Sequence, residues 1–530
     1  MLSRTPLPVL FAGLAATLAA AALVIPVAQE PAAPQQQAKA VTNDEAVPLF
    51  NGTSLDGWEG DPKLWRVEDG IITGETTEEN KITHNSFLKW TQGEVDDFEL
   101  TLQYRISGGN SGIQIRSFAL EKPYAVGGYQ ADIDAAGQWA GTNYGEAFRG
   151  VLAKRGEKTT IGEDGKPTVT GSLGDPAELA KAIKQGDEWN SYRIVAKGNH
   201  ILCEINGVPM SEVVDEDTDT RRRAGLLAFQ LHVGPPMKVQ FRNIKLKRLP
   251  LADVKKVVYV AGRPSHPARM HEHNAGALLA KKLLNTNHAD KVLVASYLNG
   301  WPADPSAFQN ADALVIQSDG GPNHPAYWHL RQIDYLRDQG VGIGMIHYAV
   351  EMTPGETNDT LIAATGGAFE INYSVNPHWD GAFEKLPAHP VANGVKPFTI
   401  RDEWYFNMRF KKDMAGVSPI LSSVPPQETM SRPDGHHSGN PEVRKRVEAK
   451  QPQHVCWVVE RPEGGRGFGF TGLHFHDNWG HDDFRKTVLN AICWIAKAEI
   501  PADGIATPTP TQEELDANLD PKPAPKAKKP

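Results

Sequence analysis

The chain has 530 residues, and a prior of roughly 150 residues per domain predicts two to four domains. Charged residues make up 22% and hydrophobic residues 40% of the chain, a balance that excludes a mostly disordered protein. The net charge of −9 argues against a nucleic-acid-binding protein, because phosphate contacts need a basic surface. We therefore expect no nucleic-acid partner.

The N-terminal segment has the layout of a secretory signal peptide. Arg4 precedes an apolar run from Leu7 to Val27, and a stretch rich in Gln, Pro and Ala follows it. A run of about 20 residues is also long enough to span a bilayer, so an uncleaved membrane anchor stays open. We predict a signal peptide over 1–28, a linker over 29–46, and an exported protein in the periplasm or outside the cell.

Alternating apolar and polar residues predict an all-β first domain over 47–249. Phe98–Ile106 has the period of two that is typical of a half-buried strand. Tyr192–Ile205 predicts a hairpin with a Gly-Asn turn, and a phase shift near Asn243 predicts a β-bulge. Spaced strands and glycine-rich turns over about 200 residues together indicate a β-sandwich.

The second domain, over 253–500, alternates strands with helices. Val257–Ala261 is a continuous apolar run, as expected of a parallel strand that is buried on both faces. Near the end, Phe468–Phe475 predicts a strand and Phe484–Ile495 a closing helix. This rhythm indicates a doubly wound α/β domain, in which sites form where strands end. Residues 501–530 are rich in Pro, Lys and Ala and predict a disordered tail.

One predicted strand of the first domain carries polar side chains on one face. Between Gly128 and Asp134, Gln130 and Asp132 alternate with apolar residues and therefore share a face. Amide and carboxylate groups on one face suit a ligand that is rich in hydroxyl groups. A solvated outer face of the sheet is the alternative interpretation.

Six sequence blocks of this domain resemble the 3-keto-disaccharide hydrolase family. They are Leu49–Trp58, Trp65–Gly70, Asn110–Ile113, Gly128–Gln130, Glu188–Asn190 and Phe241–Ile244. The resemblance covers nearly all of 47–249 and implies a concanavalin-like jelly roll that acts on glycosides oxidised at C3 of the sugar.

The chemistry of such substrates defines the groups that a site must supply. A ketone at C3 acidifies the C2 proton, so a base can form an enolate that expels the group at C1, by elimination or with later addition of water. Asp132 and Glu146 are the candidates for base and acid, and Arg116 and His232 for stabilising the enolate. A divalent metal ion could replace the arginine. The candidates for sugar binding are Asn110, Gln130, Tyr144 and Arg149.

The second domain resembles the trehalose-utilisation, or ThuA-like, family. The matching blocks are Val258–His266, His271–Glu272, Gly344–Tyr348, Asp402–Tyr405 and Gly472–Asp477. The resemblance implies a flavodoxin-like scaffold of the class I glutamine amidotransferase type. Amidotransferases carry a cysteine nucleophile after a central strand, but Met345–Tyr348 contains none here, so glutaminase chemistry is not expected.

Histidines follow several predicted strands of this domain, whose ends should converge on one crevice. His474 and His476 form an H-x-H pair that could present two imidazoles to a metal, and Glu403 or Asp477 could add a carboxylate. Sugar binding or proton transfer is the alternative for the same crevice. The candidate second-domain site comprises His266, His271, His347, Glu403, His474 and His476.

Taken together, the sequence predicts an exported enzyme that cleaves 3-keto-glycosides, with a second domain that acts on or binds related keto-sugars. One alternative is a glycan-binding jelly roll attached to a ThuA-like enzyme, and another is a non-catalytic surface adhesion protein. No G-x-G-x-x-G motif follows a predicted strand, so a separate sugar 3-dehydrogenase is the expected source of the oxidised substrate.

Overall fold

The computed structural model describes residues 37–522. The predicted signal peptide and the start of the predicted linker lie outside this range. Within it, no helix combines the length and hydropathy that crossing a membrane would require.

The first domain consists of two antiparallel-rich sheets. Its elements are β1 (Val47–Pro48), β2 (Trp58–Glu59), β3 (Trp65–Glu68), β4 (Ile71–Thr76), β5 (Ser86–Trp90), β6 (Phe98–Ser107), β7 (Asn110–Ala119), β8 (Val126–Asp134), β9 (Asn143–Glu146), β10 (Gly150–Ala153), β11 (Glu157–Ile161), β12 (Pro167–Ser172), α1 (Pro176–Ala180), β13 (Asn190–Lys197), β14 (His200–Ile205), β15 (Val208–Asp215), β16 (Leu226–Leu231) and β17 (Met237–Arg248). One sheet has the order β12-β11-β15-β14-β13-β6-β17-β4-β3, with β1 beside β17, and the other has the order β10-β9-β8-β7-β16-β5-β2.

Side-chain alternation explains how the two sheets form one core. Buried and half-buried residues alternate along β6, and apolar residues of both sheets join a single hydrophobic cluster. The predicted hairpin is confirmed, because β13 pairs antiparallel with β14. The predicted bulge is confirmed as well, since the β17–β6 register shifts between Arg242 and Lys245 and Asn243 has a φ of 53°.

The second domain has a seven-stranded sheet with helices on both faces. Its elements are β18 (Lys255–Ala261), α2 (His273–Asn287), β19 (Val292–Tyr297), β20 (Ala313–Gln317), α3 (Leu330–Asp338), β21 (Gly342–Ile346), α4 (Glu356–Thr365), β22 (Gly367–Ala368), β23 (Trp379–Phe383), β24 (Phe398–Asp402), β25 (Arg409–Phe410), β26 (Val417–Ser423), α5 (Pro441–Glu448), β27 (Gln453–Glu460), β28 (Arg466–Phe470), α6 (Asp482–Ile495) and α7 (Gln512–Asp516). The sheet order is β19-β18-β20-β21-β28-β27-β26, and its first five strands are parallel. The carboxyl ends of those five strands therefore share one edge, where ligands bind in open α/β sheets.

Two local predictions for this domain are wrong. The strand predicted over Phe468–Phe475 ends at Phe470, so the H-x-H pair is not on a strand. The predicted disordered tail is ordered over 501–522, where Ile505 and Leu515 are buried in the domain core. The prediction failed because it rested on the overall composition of the segment, which two apolar residues hardly change. Each of the two nevertheless fills a position in the core.

A buried ionic junction joins the two domains. The Arg248 guanidinium, fully buried, forms ion pairs with Asp96 at 2.9 Å and with Asp304 at 2.7 Å. Lys256 pairs with the second Asp96 oxygen at 2.9 Å. Burial would raise the pKa of Asp96, but Arg248 and Lys256 lower it to about 2. Charged side chains from both domains thus neutralise one another inside the protein, where water does not reach them.

We expect Arg248→Ala to destabilise the protein by roughly 3–5 kcal/mol, because it leaves buried Asp304 without its cation and Asp96 with Lys256 alone. Arg193→Ala is the control, since that arginine binds its glutamate partners at the surface, where a pair contributes about 0–1 kcal/mol. The urea dependence of unfolding measures both changes. Equal effects of the two substitutions would contradict a structural role of the junction.

Candidate functional sites

The first candidate site is a cleft of about 540 Å³ on the jelly-roll domain. Even-numbered residues from Gln130 to Asp134 on β8 line the cleft, and the odd-numbered residues from Tyr129 to Ile133 enter the core. The cleft therefore lies on the sheet face that is turned away from the sandwich core, as the alternation predicts. The lining residues are Asn85, Gly109, Asn110, Gln130, Asp132, Asp134, Gln138, Trp139, Tyr144, Glu146 and His232.

A chain of side-chain amides connects the two predicted catalytic carboxylates. Gln130 Nε2 donates to Asp132 Oδ1 at 2.8 Å and lies 3.4 Å from Gln230 Oε1. Gln230 Nε2 lies 3.4 Å from Glu146 Oε2, and Asn85 Nδ2 donates to the other Glu146 oxygen at 2.8 Å. Because these amides are held by their neighbours, both carboxylates have defined orientations in the cleft.

Gly112 makes room for this arrangement on the strand next to β8. It pairs with Asp132 across β7 and β8, and a Cβ at this position would lie 2.3 Å from Gln130 Cδ. Gln114 Nε2 donates a hydrogen bond to Gln130 Oε1 at 2.7 Å and so fixes the orientation of that amide. The glycine thus permits the close approach of the glutamine that hydrogen-bonds Asp132.

The two carboxylates have different environments. Asp132 is nearly fully buried, and burial together with nearby Glu146 and Asp134 raises its pKa to about 8, against the opposing hydrogen bond from Gln130. Asp132 therefore holds a proton at neutral pH. Glu146 is half-buried and accepts hydrogen bonds at both oxygens, as a carboxylate does.

The rim of the cleft includes Asp134, which the alternation places on the same face as Asp132, and Trp139, which the sequence did not predict. Asp134 accepts hydrogen bonds from the backbone N–H groups of Gln138, Trp139 and Ala140, and so fixes the loop after β8. Trp139 is 38% exposed and lines the cleft, which gives a sugar ring an apolar surface to stack on. The sequence feature that could have predicted this tryptophan is its position in a glycine-rich turn next to the polar strand.

Six of the eight predicted residues of the first site line the cleft, and two do not. Arg116 lies at a β-bulge of β7 with a φ of 46°, and its buried guanidinium pairs with Asp97 at 2.6 Å. Arg149 binds Asp215 at 2.9 Å outside the cleft. The bulge turns Arg116 away from the face that its sequence position suggests. No lysine or arginine is among the lining residues of this cleft in the described chain. The six that line it are Asn110, Gln130, Asp132, Tyr144, Glu146 and His232.

The second candidate site lies at the carboxyl edge of the parallel sheet. His271 Nε2 is 3.0 Å from His347 Nε2 and 3.0 Å from His474 Nδ1. Glu403 Oε2 is 3.0 Å from His474 Nδ1 and 3.6 Å from His347 Nε2. We call these four residues the His3Glu cluster; one ligand atom from each lies within 4.8 Å of the others.

Two outer groups orient the histidines of this cluster. Asp319 Oδ1 lies 2.7 Å from His271 Nδ1, and the Thr471 carbonyl lies 2.9 Å from His347 Nδ1. Burial lowers the pKa of His271 to about 3 and lowers the pKa of His347 well below its usual value. Both rings are therefore neutral at physiological pH. A histidine that binds a metal through one ring nitrogen usually hydrogen-bonds a carboxylate or a carbonyl through the other.

The other predicted residues of the second site differ in their positions. His266 lies beside the cluster, with its ring stacked on that of His271 at a centroid distance of 3.5 Å. His476 is buried in a 3-10 turn outside the His3Glu cluster, so the H-x-H prediction is wrong. Asp477 pairs with Arg269 instead of the histidines. Asp319 was missed, although a carboxylate just after β20 is the signal that would have found it.

Family models match both domains of the chain. Residues 45–247 match the model described as a 3-keto-alpha-glucoside-1,2-lyase-like domain, and residues 266–495 match the model described as trehalose utilisation. None of the curated proteins compared with the chain matches it.

Solved structures resemble each domain separately. A protein from Parabacteroides distasonis ATCC 8503, provisionally named a glycosyl hydrolase, is 20% identical and covers 39% of this chain and 100% of its own, with a TM-score of 0.28. The carbohydrate-binding module CBM66 from Bacillus subtilis is 15% identical and covers 39% and 99%, with a TM-score of 0.25. A protein from Bacteroides uniformis ATCC 8492, provisionally named ThuA-like, is 14% identical and covers 46% and 91%, with a TM-score of 0.32.

Proposed function

Because the chain contains a 3-keto-disaccharide hydrolase-like domain followed by a ThuA domain, we propose that its jelly-roll cleft cleaves glycosides whose sugar carries a ketone at C3. The observation that carries this proposal is the pair of unlike carboxylates in one cleft. Asp132 holds a proton at neutral pH, and Glu146 accepts hydrogen bonds at both oxygens. A carboxyl group that carries a proton and a carboxylate that accepts hydrogen bonds, placed in one cleft, suit an acid and a base.

In the proposed reaction, Glu146 removes the proton at C2 of the keto-sugar. The electron pair of the broken C–H bond forms the C2–C3 double bond of an enolate, and the negative charge moves to the C3 oxygen. When the ketone re-forms, a double bond forms between C1 and C2 and the C1–O bond breaks. Asp132 gives its proton to the leaving oxygen. Addition of water to the unsaturated sugar would complete a hydrolysis.

Neutral donors are the available partners for the developing charge on the C3 oxygen. The side chains of Asn110 and Gln138 line the same cleft and can donate hydrogen bonds. The cleft also contains His232, whose Nδ1 lies 2.7 Å from the Val233 carbonyl. We propose Asn110 and Gln138 for the role that the sequence predicted for Arg116, and keep His232 in the role that the sequence predicted for it.

The test is incubation of the full chain with a 3-keto-glucoside and, in parallel, with the parent glucoside. The full chain is used because the buried junction at Arg248 joins the two domains. We expect release of the aglycone only from the oxidised sugar, with an unsaturated or hydrated keto-sugar as the second product. Equal cleavage of the parent glucoside would contradict the proposal in favour of an ordinary glycosidase.

A glycan-binding module is the second candidate for this domain. The exposed Trp139 beside polar side chains supports it, because stacking and hydrogen bonds bind sugars without any chemical step. Binding of 3-keto-glucoside by the full chain without any product would favour this candidate.

We also propose a scaffold type for the second domain, export of the protein, a supplier of the substrate and a role for the second domain. The order of the five parallel strands supports a flavodoxin-like scaffold for the second domain, related to that of class I amidotransferases. Arg4 and the apolar run after it support export of the protein. The substrate requirement supports a separate sugar 3-dehydrogenase as its supplier, and the second domain would act on or bind related keto-sugars.

A further inference from the structure

We propose that the His3Glu cluster is a binding site for one divalent transition-metal ion. Its four members come from separate parts of the chain: His271 precedes α2, His347 follows β21, Glu403 follows β24, and His474 follows β28. The site therefore forms only when residues that are far apart in the sequence come together in the folded domain. This inference stands independently of the reaction proposed for the jelly-roll cleft.

The hydrogen bonds of two histidines leave lone pairs that face each other. A carbonyl oxygen only accepts, so His347 must carry its proton on the Nδ1 that contacts Thr471. The Asp319 carboxylate fixes the proton of His271 on Nδ1 in the same way. The other two ring nitrogens, the Nε2 atoms, then face each other at 3.0 Å. An ion between them would bind a lone pair from each ring.

The distances within the cluster suit an ion in its centre. Zinc–nitrogen and zinc–oxygen bonds of about 2.1 Å give a tetrahedral shell whose ligand atoms are about 3.4 Å apart. Three of the separations in the cluster are 3.0 Å and a fourth is 3.6 Å. Small outward shifts of the rings would reach the coordinated geometry.

Backbone strain occurs at two members of the cluster. His271 and His347 have φ values of 48° and 57°, in the left-handed region that residues other than glycine rarely adopt. Strain of this kind persists where the surroundings enforce a functional geometry.

The ligand set indicates the class of metal. Three imidazoles and one carboxylate suit Zn²⁺ and the neighbouring first-row ions, whereas Mg²⁺ and Ca²⁺ prefer oxygen ligands only. Glu403 is the most exposed member, with 14% of its side chain accessible, which gives an ion a route into the cluster. Asp319 is less suited as a direct ligand, because its Oδ1 already contacts both His271 and His273.

The test titrates the chelator-treated full chain with ZnCl2 by calorimetry, and with CoCl2 while recording visible absorption. We expect one tight site whose cobalt spectrum shows nitrogen ligation. His347→Ala and His474→Ala should weaken zinc binding by at least about 100-fold, and Asp319→Asn by roughly 10- to 100-fold. His436→Gln is the matched control, because this histidine of the same domain is exposed, and its variant should bind as the unmodified chain does.

The outcomes distinguish the proposal from a cluster held by shared protons. Absence of zinc and cobalt binding would overturn it, and so would a site that survives both histidine substitutions. If an alanine variant does not fold, as judged by its thermal unfolding, Asp319→Asn and Glu403→Gln decide, because both keep side-chain volume. Weaker binding in these two variants supports the metal site, and unchanged affinity in both overturns it.

Discussion

Replacing Glu146 with glutamine should lower kcat of the full chain on a 3-keto-glucoside by roughly 100- to 10,000-fold, the usual contribution of a general base. The substitution keeps the side-chain shape but replaces the basic carboxylate with an amide that cannot remove the C2 proton. The loss should be the same for every leaving group, because proton removal precedes departure of the aglycone. Steady-state kinetics with an alkyl and a nitrophenyl 3-keto-glucoside measures it.

Glu178→Gln is the matched control for this substitution. Glu178 is exposed on α1 and pairs with the exposed Lys181, so its variant should turn over substrate normally. Retained substrate binding by Glu146→Gln, measured by calorimetry, would separate a lost chemical step from a lost sugar site. Full turnover by this variant would contradict its role as base.

Replacing Asp132 with asparagine should have a leaving-group-dependent effect. Asparagine can still accept the hydrogen bond from Gln130 but cannot give a proton to the departing oxygen. We expect a loss of roughly 100-fold or more with an alkyl leaving group, which needs the proton, and a small loss with nitrophenolate, which does not. Equal losses with both substrates would contradict the assignment of Asp132 as the acid.

The raised pKa of Asp132 predicts two pH dependences. Activity of the unmodified chain should fall as the pH rises through about 8, because the acid loses its proton. Stability should fall over a related range: the unfolded aspartate ionises near 3.8 and the folded one near 8, so the folded state loses stability as the pH rises between these values. Asp132→Asn stays neutral and should become more stable relative to the unmodified chain over the same range.

Local patterns predicted much of the fold. Period-two alternation identified β6 and the β13–β14 hairpin, and the continuous apolar run over Val257–Ala261 identified the parallel strand β18. The errors arose where tertiary contacts decide the structure. The segment after Phe470 is apolar enough for a strand, but the chain leaves the sheet there and brings His474 to the cluster.

The sites were predictable where alternation applies and unpredictable where it is interrupted. Gln130 and Asp132 share a face because a regular strand contains both. Arg116 has the parity of these residues, but a bulge redirects its side chain into an ion pair with Asp97. Asn85 joins the cleft through a contact with Glu146 across 61 residues of sequence, for which no local signal exists.

The most direct measurement compares cleavage of a 3-keto-glucoside carrying hydrogen at C2 with that of the same compound carrying deuterium there. If proton removal by Glu146 begins the reaction, the deuterated substrate should react more slowly under saturating conditions, and the slow Glu146→Gln variant should keep or increase the difference. Equal rates for the two substrates in both proteins would show that the C2–H bond is not broken in a rate-limiting step, and would contradict enolate formation as the basis of cleavage.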